Sequence, residues 1–173
     1  MKSMNERVID TLTELTAINS PSGSAERAID YVKKRVELSG YTTHITNKGG
    51  LLIEVKGDND EKKKCITAHV DTLGAMVKEI LKDGRLRLAL IGGFRYNAIE
   101  GEYCTIETAT GQTYRGTILI HETTPHVYRN NHEIVRDETN MEVRIDEKVT
   151  SEAETRALGI EVGAVSYTHL RAH

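Results

Sequence analysis

The sequence predicts a mixed α/β protein built in two parts, a partial α/β sandwich followed by a small β-barrel. Three observations lead there. Two segments of helical period open the chain and give way to short β-rich runs. The texture changes near Gly74, and beyond it short apolar runs alternate with glycine-bearing turns. At 173 residues the chain has room for one domain or two small ones, with a real core.

In the first helix Val8, Ile9, Leu12 and Leu15 fall on one face, with charge opposite. The cluster Asn19-Ser20-Pro21-Ser22-Gly23 breaks it. A second helix is expected to start at Ser24 as N-cap, with Glu26 in its first turn where a carboxylate suits the helix dipole. Ala28, Ile29, Val32 and Val36 form its buried stripe, and Gly40 is placed to end it. Strands are expected at residues 41–46 and 51–55, followed by the turn Gly57-Asp58-Asn59-Asp60. Residues 64–71 read as a third strand, apolar enough at Cys65-Ile66-Thr67-Ala68 to lie centrally.

Short strands are expected next at residues 76–80, 86–91, 103–107, 114–119 and 141–145. Between them stand the turn signals Asp83-Gly84, Gly92-Gly93 and Thr110-Gly111, a spacing that points to a small barrel or sandwich. Residues 121–140 make a polar loop long enough to imply a functional or contact role. A brief helix is expected from Ser151 to Gly159, with Ser151 and Glu154 at capping-box spacing.

Composition excludes several classes. Apolar residues make up 38% and charged residues 28%, as in ordinary globular proteins. The formal net charge is -3 with no long run of one sign, which argues against a nucleic-acid partner. No stretch reaches membrane-spanning length, and the polar start runs straight into a helix without a secretory pattern. The two cysteines, Cys65 and Cys104, sit in strand-like runs without metal spacing, so two reduced buried thiols in a cytoplasmic protein are expected.

The sharpest local feature is Ala68-His69-Val70-Asp71. In extended backbone, residues two apart share a side, so His69 and Asp71 face one way at the end of an apolar run. A metal site wants such a pair. Imidazole ligates Zn²⁺ or Co²⁺ through one nitrogen, and a carboxylate takes the N–H of the other. Taken alone, the spacing is more often that of a hydrogen-bonded surface pair. Other candidates are weaker. His121, His126 and His132 are clustered, but their spacing fits no standard zinc motif and a solvated loop is the preferred reading. His169 and His173 stand four apart near the end. Glu100 and Glu102 straddle Gly101 as at an edge turn, and Arg85, Arg87 and Arg95 suit a solvated or dimer-facing surface.

Longer strings carry more weight. Ser20-Pro21-Ser22-Gly23, a helix with Glu26, and then Ala68-His69-Val70-Asp71-Thr72-Leu73-Gly74-Ala75-Met76-Val77 follow in order. Ile91-Gly92-Gly93, Gly101-Glu102, Gly116-Thr117-Ile118, Met141-Glu142-Val143-Arg144-Ile145-Asp146-Glu147 and Leu158-Gly159-Ile160-Glu161-Val162-Gly163 come after them. In this order they resemble the glutamyl-aminopeptidase or tetrahedral-aminopeptidase family of co-catalytic metallopeptidases.

The resemblance implies a catalytic domain interrupted by a barrel, here residues 1–73 and 74–163, with residues 164–173 departing from the family pattern as an aberrant tail. It implies that His69 ligates one of two divalent metal ions, zinc or cobalt with manganese a further candidate, and that Asp71 is the catalytic carboxylate orienting it. The implied reaction is hydrolytic release of N-terminal residues from a peptide. The implied partner is a second copy through the barrel, within a larger oligomer. The family's remaining ligands and its Glu general base follow the barrel, so the chain is expected to stop before them and to hold at most one partial metal site. Two other readings are a non-catalytic barrel that serves association and a glycoside hydrolase of endoglucanase type. The second needs two opposed carboxylates.

Overall fold

The computed structural model describes residues 2–59 and 61–168. The chain divides into two compact units, one running to Thr72 and one from Leu73 onward.

The first unit starts with α1 (Met4–Thr16), and its entry is fixed by a capping box. The Glu6 N–H donates to Ser3 Oγ, while the Ser3 N–H donates to Glu6 Oε2 at 2.7 Å. The Ser3 N–H first, and the Ser3 hydroxyl second, hold the Glu6 carboxyl below its ordinary pKa by donating to it. The expected apolar face of α1 is not buried. Val8, Ile9 and Leu12 remain 49%, 62% and 55% exposed, because nothing among the described residues of this unit is layered over them. Polar contacts join α1 to α2 (Glu26–Glu37) instead, with Tyr31 Oη and Arg35 both donating to Glu14 Oε2. On α2, Ala28 is fully buried, while Ile29, Val32 and Val36 are half-buried. The N-cap is Ala25, without a side-chain bond, and not Ser24. Ser24 is drawn into the preceding turn, where its N–H donates to the Pro21 carbonyl at 2.8 Å. Gly40 follows the helix with φ of +85°, the left-handed region glycine enters freely, and its N–H donates to the Glu37 carbonyl.

Strands β1 (Thr42–Ile45) and β2 (Leu51–Glu54) form an antiparallel pair, registered from Thr42↔Glu54 to Ile45↔Leu51. The expected third strand at residues 64–71 does not form. That segment carries no ladder, Ile66 is 95% exposed, and only Thr72 makes a parallel bridge, to Pro21. An apolar run becomes a strand when a neighbour supplies N–H and C=O partners, and β1 and β2 satisfy each other. Thr72 is nonetheless held firmly. Its N–H donates to the Ser20 carbonyl at 2.9 Å, the Ser20 N–H donates to Thr72 Oγ1, and Ser20 Oγ donates to the Val70 carbonyl at 2.8 Å. Ser20 is completely buried.

The second unit is a closed six-stranded barrel in the order β3-β4-β7-β6-β5-β8. Its strands are β3 (Gly74–Ile80), β4 (Leu86–Ile91), β5 (Tyr103–Glu107), β6 (Thr113–Ile120), β7 (Met141–Ile145) and β8 (Val165–Thr168). Period-two alternation fills the interior. Val77, Leu86, Ile106, Ile118, Met141 and Val143 are almost wholly buried. Gly116 lets β6 approach β7 closely, since a Cβ there would lie 2.5 Å from Val143 Cγ1 and 3.0 Å from the Arg144 carbonyl. Helix α3 (Glu152–Ala157) is capped by Ser151, and its buried Thr155 donates to the Gly84 carbonyl at 2.8 Å. Glu154 reaches back one residue past the cap, accepting from the Thr150 N–H.

The barrel does not stop at Gly163. The Gly163 N–H donates to the Val77 carbonyl, the Val77 N–H donates to the Ala164 carbonyl, and β8 then pairs with both β3 and β5. Residues 164–168 therefore close the barrel, in place of the aberrant tail expected from Ala164 on. Their β-rich alternation leaves Ser166 facing in, opposite Ile106 and Ala75. Residues 169–173 of that tail lie outside the described residues.

Replacing Ser20 with Ala should leave the Val70 carbonyl without its partner and destabilise the first unit by about 1–2 kcal/mol, read as an earlier urea transition in helical circular dichroism. Gly116→Ala should cost the barrel about 1–3 kcal/mol through the forced shift against Val143, read as a lower melting temperature.

Candidate functional site

His69 and Asp71 owe their placement to the backbone bonds around them. Val70 and Thr72, the residues on either side of Asp71, are tied to Ser20. The Asp71 side chain is consequently held toward Ser22. Ser22 Oγ donates to Asp71 Oδ2 at 2.7 Å, and Asp71 Oδ1 meets His69 Nδ1 at 2.8 Å. Both carboxylate oxygens are engaged. The Ser22 hydroxyl first, and the His69 ring second, hold the Asp71 carboxyl below its ordinary pKa. An ionised carboxylate only accepts, so the proton on the His69 ring belongs on Nδ1, and Nε2 presents its lone pair outward. The His69 side chain is 83% exposed, which leaves Nε2 open to a ligand.

The remaining candidates are used elsewhere. His121 Nδ1 meets Glu142 Oε1 at 2.8 Å, and Arg85 donates to the same oxygen. Glu142 projects from the outer face of β7 yet is only 3% exposed, so the part-exposed Arg85 serves a nearly buried carboxylate. His126 is exposed, and His132 lies 3.8 Å from its neighbour Glu133. His169 and His173 fall outside the described residues. Glu100 makes a two-pronged pair with Arg136. Among the described residues, no three His, Cys, Asp or Glu side chains come together as a metal site.

The cysteines differ from expectation in one case. Cys104 is buried and its thiol is pushed up to about 11 by desolvation, whereas Cys65 is exposed because its segment has no covering layer. Both are free. A concavity of about 1020 Å³ in the barrel unit runs past Leu90, Phe94, Tyr96, Glu100 and Glu138. Its Glu100 and Glu138 are paired with Arg136 and Lys78, and its Asp137 accepts from Thr139 and Asn140, so it offers no two free carboxylates facing each other for glycoside hydrolysis. Sequence reasoning missed the Ser22 contact. The string Ser20-Pro21-Ser22-Gly23 was a signal for it, but no periodicity links it to a residue 49 positions on.

Comparison with known proteins gives the site its context. The profile of the M42 glutamyl aminopeptidase family matches residues 49–172. A Bacillus subtilis (strain 168) protein described as "Putative aminopeptidase YhfE" is 48% identical over 157 residues, which are 91% of this chain and 45% of that protein. The glutamyl aminopeptidase of Lactococcus lactis subsp. cremoris (strain MG1363) is 26% identical over 90% of this chain and 44% of its own length. Among solved structures, the aminopeptidase APDkam598 from the archaeon Desulfurococcus kamchatkensis superposes with a TM-score of 0.81 at 26% identity, over 96% of this chain and 44% of that one. The chain thus spans slightly less than half the length of these relatives. With a family profile matched across most of its residues and a fold shared with an archaeal aminopeptidase, the chain belongs to the M42 glutamyl aminopeptidase family.

Proposed function

We propose that His69 and Asp71 form one arm of the metal centre of an aminopeptidase that releases N-terminal residues from peptides. The observation that carries this reading is the free, exposed Nε2 of an imidazole whose other nitrogen is held by an ionised carboxylate. Family membership supports it, since the family is in general metal-dependent.

The donor chemistry fits a borderline cation such as zinc or cobalt, with manganese less suited to imidazole than to oxygen donors. His69 would hold it through Nε2. A bound cation of this kind polarises a substrate carbonyl and makes its water more acidic. The chain's own residues do the positioning. Asp71 keeps the ring proton on Nδ1, fixes the ring plane and makes the nitrogen that faces outward more basic. One imidazole is one ligand of the three or four that such a cation needs, and the described residues converge no others. The further ligands of a two-metal centre and the general base belong, on this reading, to groups outside the described residues.

The barrel supports a second role beside the first, contact with another copy of the chain in a homodimer or larger oligomer. It is closed, with its own buried core, and it carries exposed Met76 and Tyr103 on its outer side. A cytoplasmic setting suits two free cysteines, and among the described residues no helix is long and apolar enough to cross a membrane.

Titrating the 173-residue chain with Co²⁺ or Zn²⁺ should show weak binding that His69→Ala removes and Asp71→Asn weakens by about tenfold or more. The chain by itself should hydrolyse aminoacyl anilides barely above background. Equal metal affinity in the wild type and His69→Ala would refute the assignment.

A further inference from the structure

The Ser22 hydroxyl is used neither by a helix cap nor by a backbone turn; it donates across 49 positions of sequence to Asp71 Oδ2 at 2.7 Å. We propose that Ser22 is a positioning residue, and that its hydroxyl selects the orientation of Asp71 that places the His69 ring proton on Nδ1 and leaves Nε2 free. Its functional meaning rests on the metal-centre reading above. The hydrogen-bond chain does not depend on it.

Division of labour within the Ser20-Pro21-Ser22 string makes the role specific. Ser20 handles the backbone, bonding the Val70 carbonyl and both exchanging groups of Thr72. Pro21 has no N–H to give and forms the parallel bridge to Thr72 through the remaining groups. Ser22 is left as the one member that touches a side chain of the site. Ser22 itself is exposed, so its contribution is directional and not one of packing.

Chemistry explains why direction matters here. A free neutral imidazole carries its proton on either nitrogen, and only an acceptor placed beside Nδ1 settles the choice. Asp71 is that acceptor, but an aspartate rotates about χ1 and χ2, and a carboxylate 42% exposed has water as a competing partner for both oxygens. Fixing Oδ2 on Ser22 turns Oδ1 toward His69. Without the hydroxyl, Asp71 is free to rotate into solvent, and the ring can present Nε2–H, which binds no cation.

Nitrogen-15 NMR of the full chain, at about pH 8.5 where imidazoles are generally neutral, reads the tautomer directly. The His69 ring is assigned by its loss in His69→Gln. The wild type should show the Nδ1–H form in excess. Ser22→Ala should raise the Nε2–H form about fivefold, the factor expected from one ordinary hydrogen bond, and Ser22→Thr should restore the wild-type ratio. The Thr72 amide resonance should stay in place in both variants, because Ser20 is untouched. A wild-type tautomer ratio in Ser22→Ala overturns the proposal. So does displacement of the Thr72 amide in that variant, since Ser22 would then be supporting backbone. Cobalt titration of the same samples separates the two ideas. If cobalt affinity is the same with and without His69, the metal-centre reading fails while the tautomer result stands.

Discussion

The fastening of Val70 and Thr72 to a buried serine is the constraint on which the candidate site depends. Ordering one residue's backbone costs about 1–2 kcal/mol, and residues 64–71 have no strand ladder to offset that cost. Left alone, a His and an Asp two residues apart in such a segment would sample many relative orientations. Three hydrogen bonds between Ser20 and residues 70–72 remove that freedom at the one place where it matters. Local order at the Asp71 end is supplied from a loop between two helices and not from the sheet. That loop is short and carries proline, which narrows its own range of conformations before any contact is made.

The barrel follows a different physical logic. Most of its inward residues are β-branched or long aliphatic, and a glycine sits where β6 lies tight against Val143 and Arg144 of β7. Closing the ring removes every free edge but requires a last strand that pairs on both sides. That strand is β8, whose entry is fixed by Gly163 at φ of +94° and by two backbone bonds with Val77. Glu142 shows what the outer surface tolerates. A carboxylate on the solvent side of β7 becomes nearly inaccessible once Arg85 and His121 cover it, and it is compensated by both.

What the sequence made legible was what local chemistry decides. The expected strands at residues 86–91, 103–107 and 141–145 coincide with β4, β5 and β7, the first two as β-rich runs between glycine turns. Both opening helices are present where the helical period of their apolar residues places them, and the α/β class with its barrel follows. The pairing of His69 with Asp71, expected from their spacing of two, is present as a contact of 2.8 Å. What remained hidden depends on a partner distant in sequence. Residues 64–71 look like a central strand, yet pairing is a property of two segments, and none is laid beside them among the described residues. The N-cap moved from Ser24 to Ala25 because the Ser24 N–H closes the Pro21 turn, a competition invisible to a capping rule. Residues 164–168 look like an aberrant tail in the sequence, but the family profile runs through them and they pair with β3 and β5.

Amphipathic pattern and burial are therefore separate properties in this chain, and the two units show the difference. Val77, Leu86 and Val143 follow the strand period and are buried, whereas Val8, Ile9 and Leu12 follow the helical period and are not. Period tells which residues would share a face; only an opposing layer makes that face a core. The same distinction governs the candidate site. His69 and Asp71 have the right types, spacing and hydrogen bond for one ligand of a metal centre, but affinity for a cation grows with each converging donor. Ser22 and Asp71 together settle where the ring proton sits, and so convert an exposed imidazole from a surface group into a directed donor. Such a donor is organised before any cation arrives, which lowers the ordering cost of binding. Organisation of this kind needs no converging ligand, and it holds the Ser22–Asp71–His69 chain in place in a segment that forms no strand.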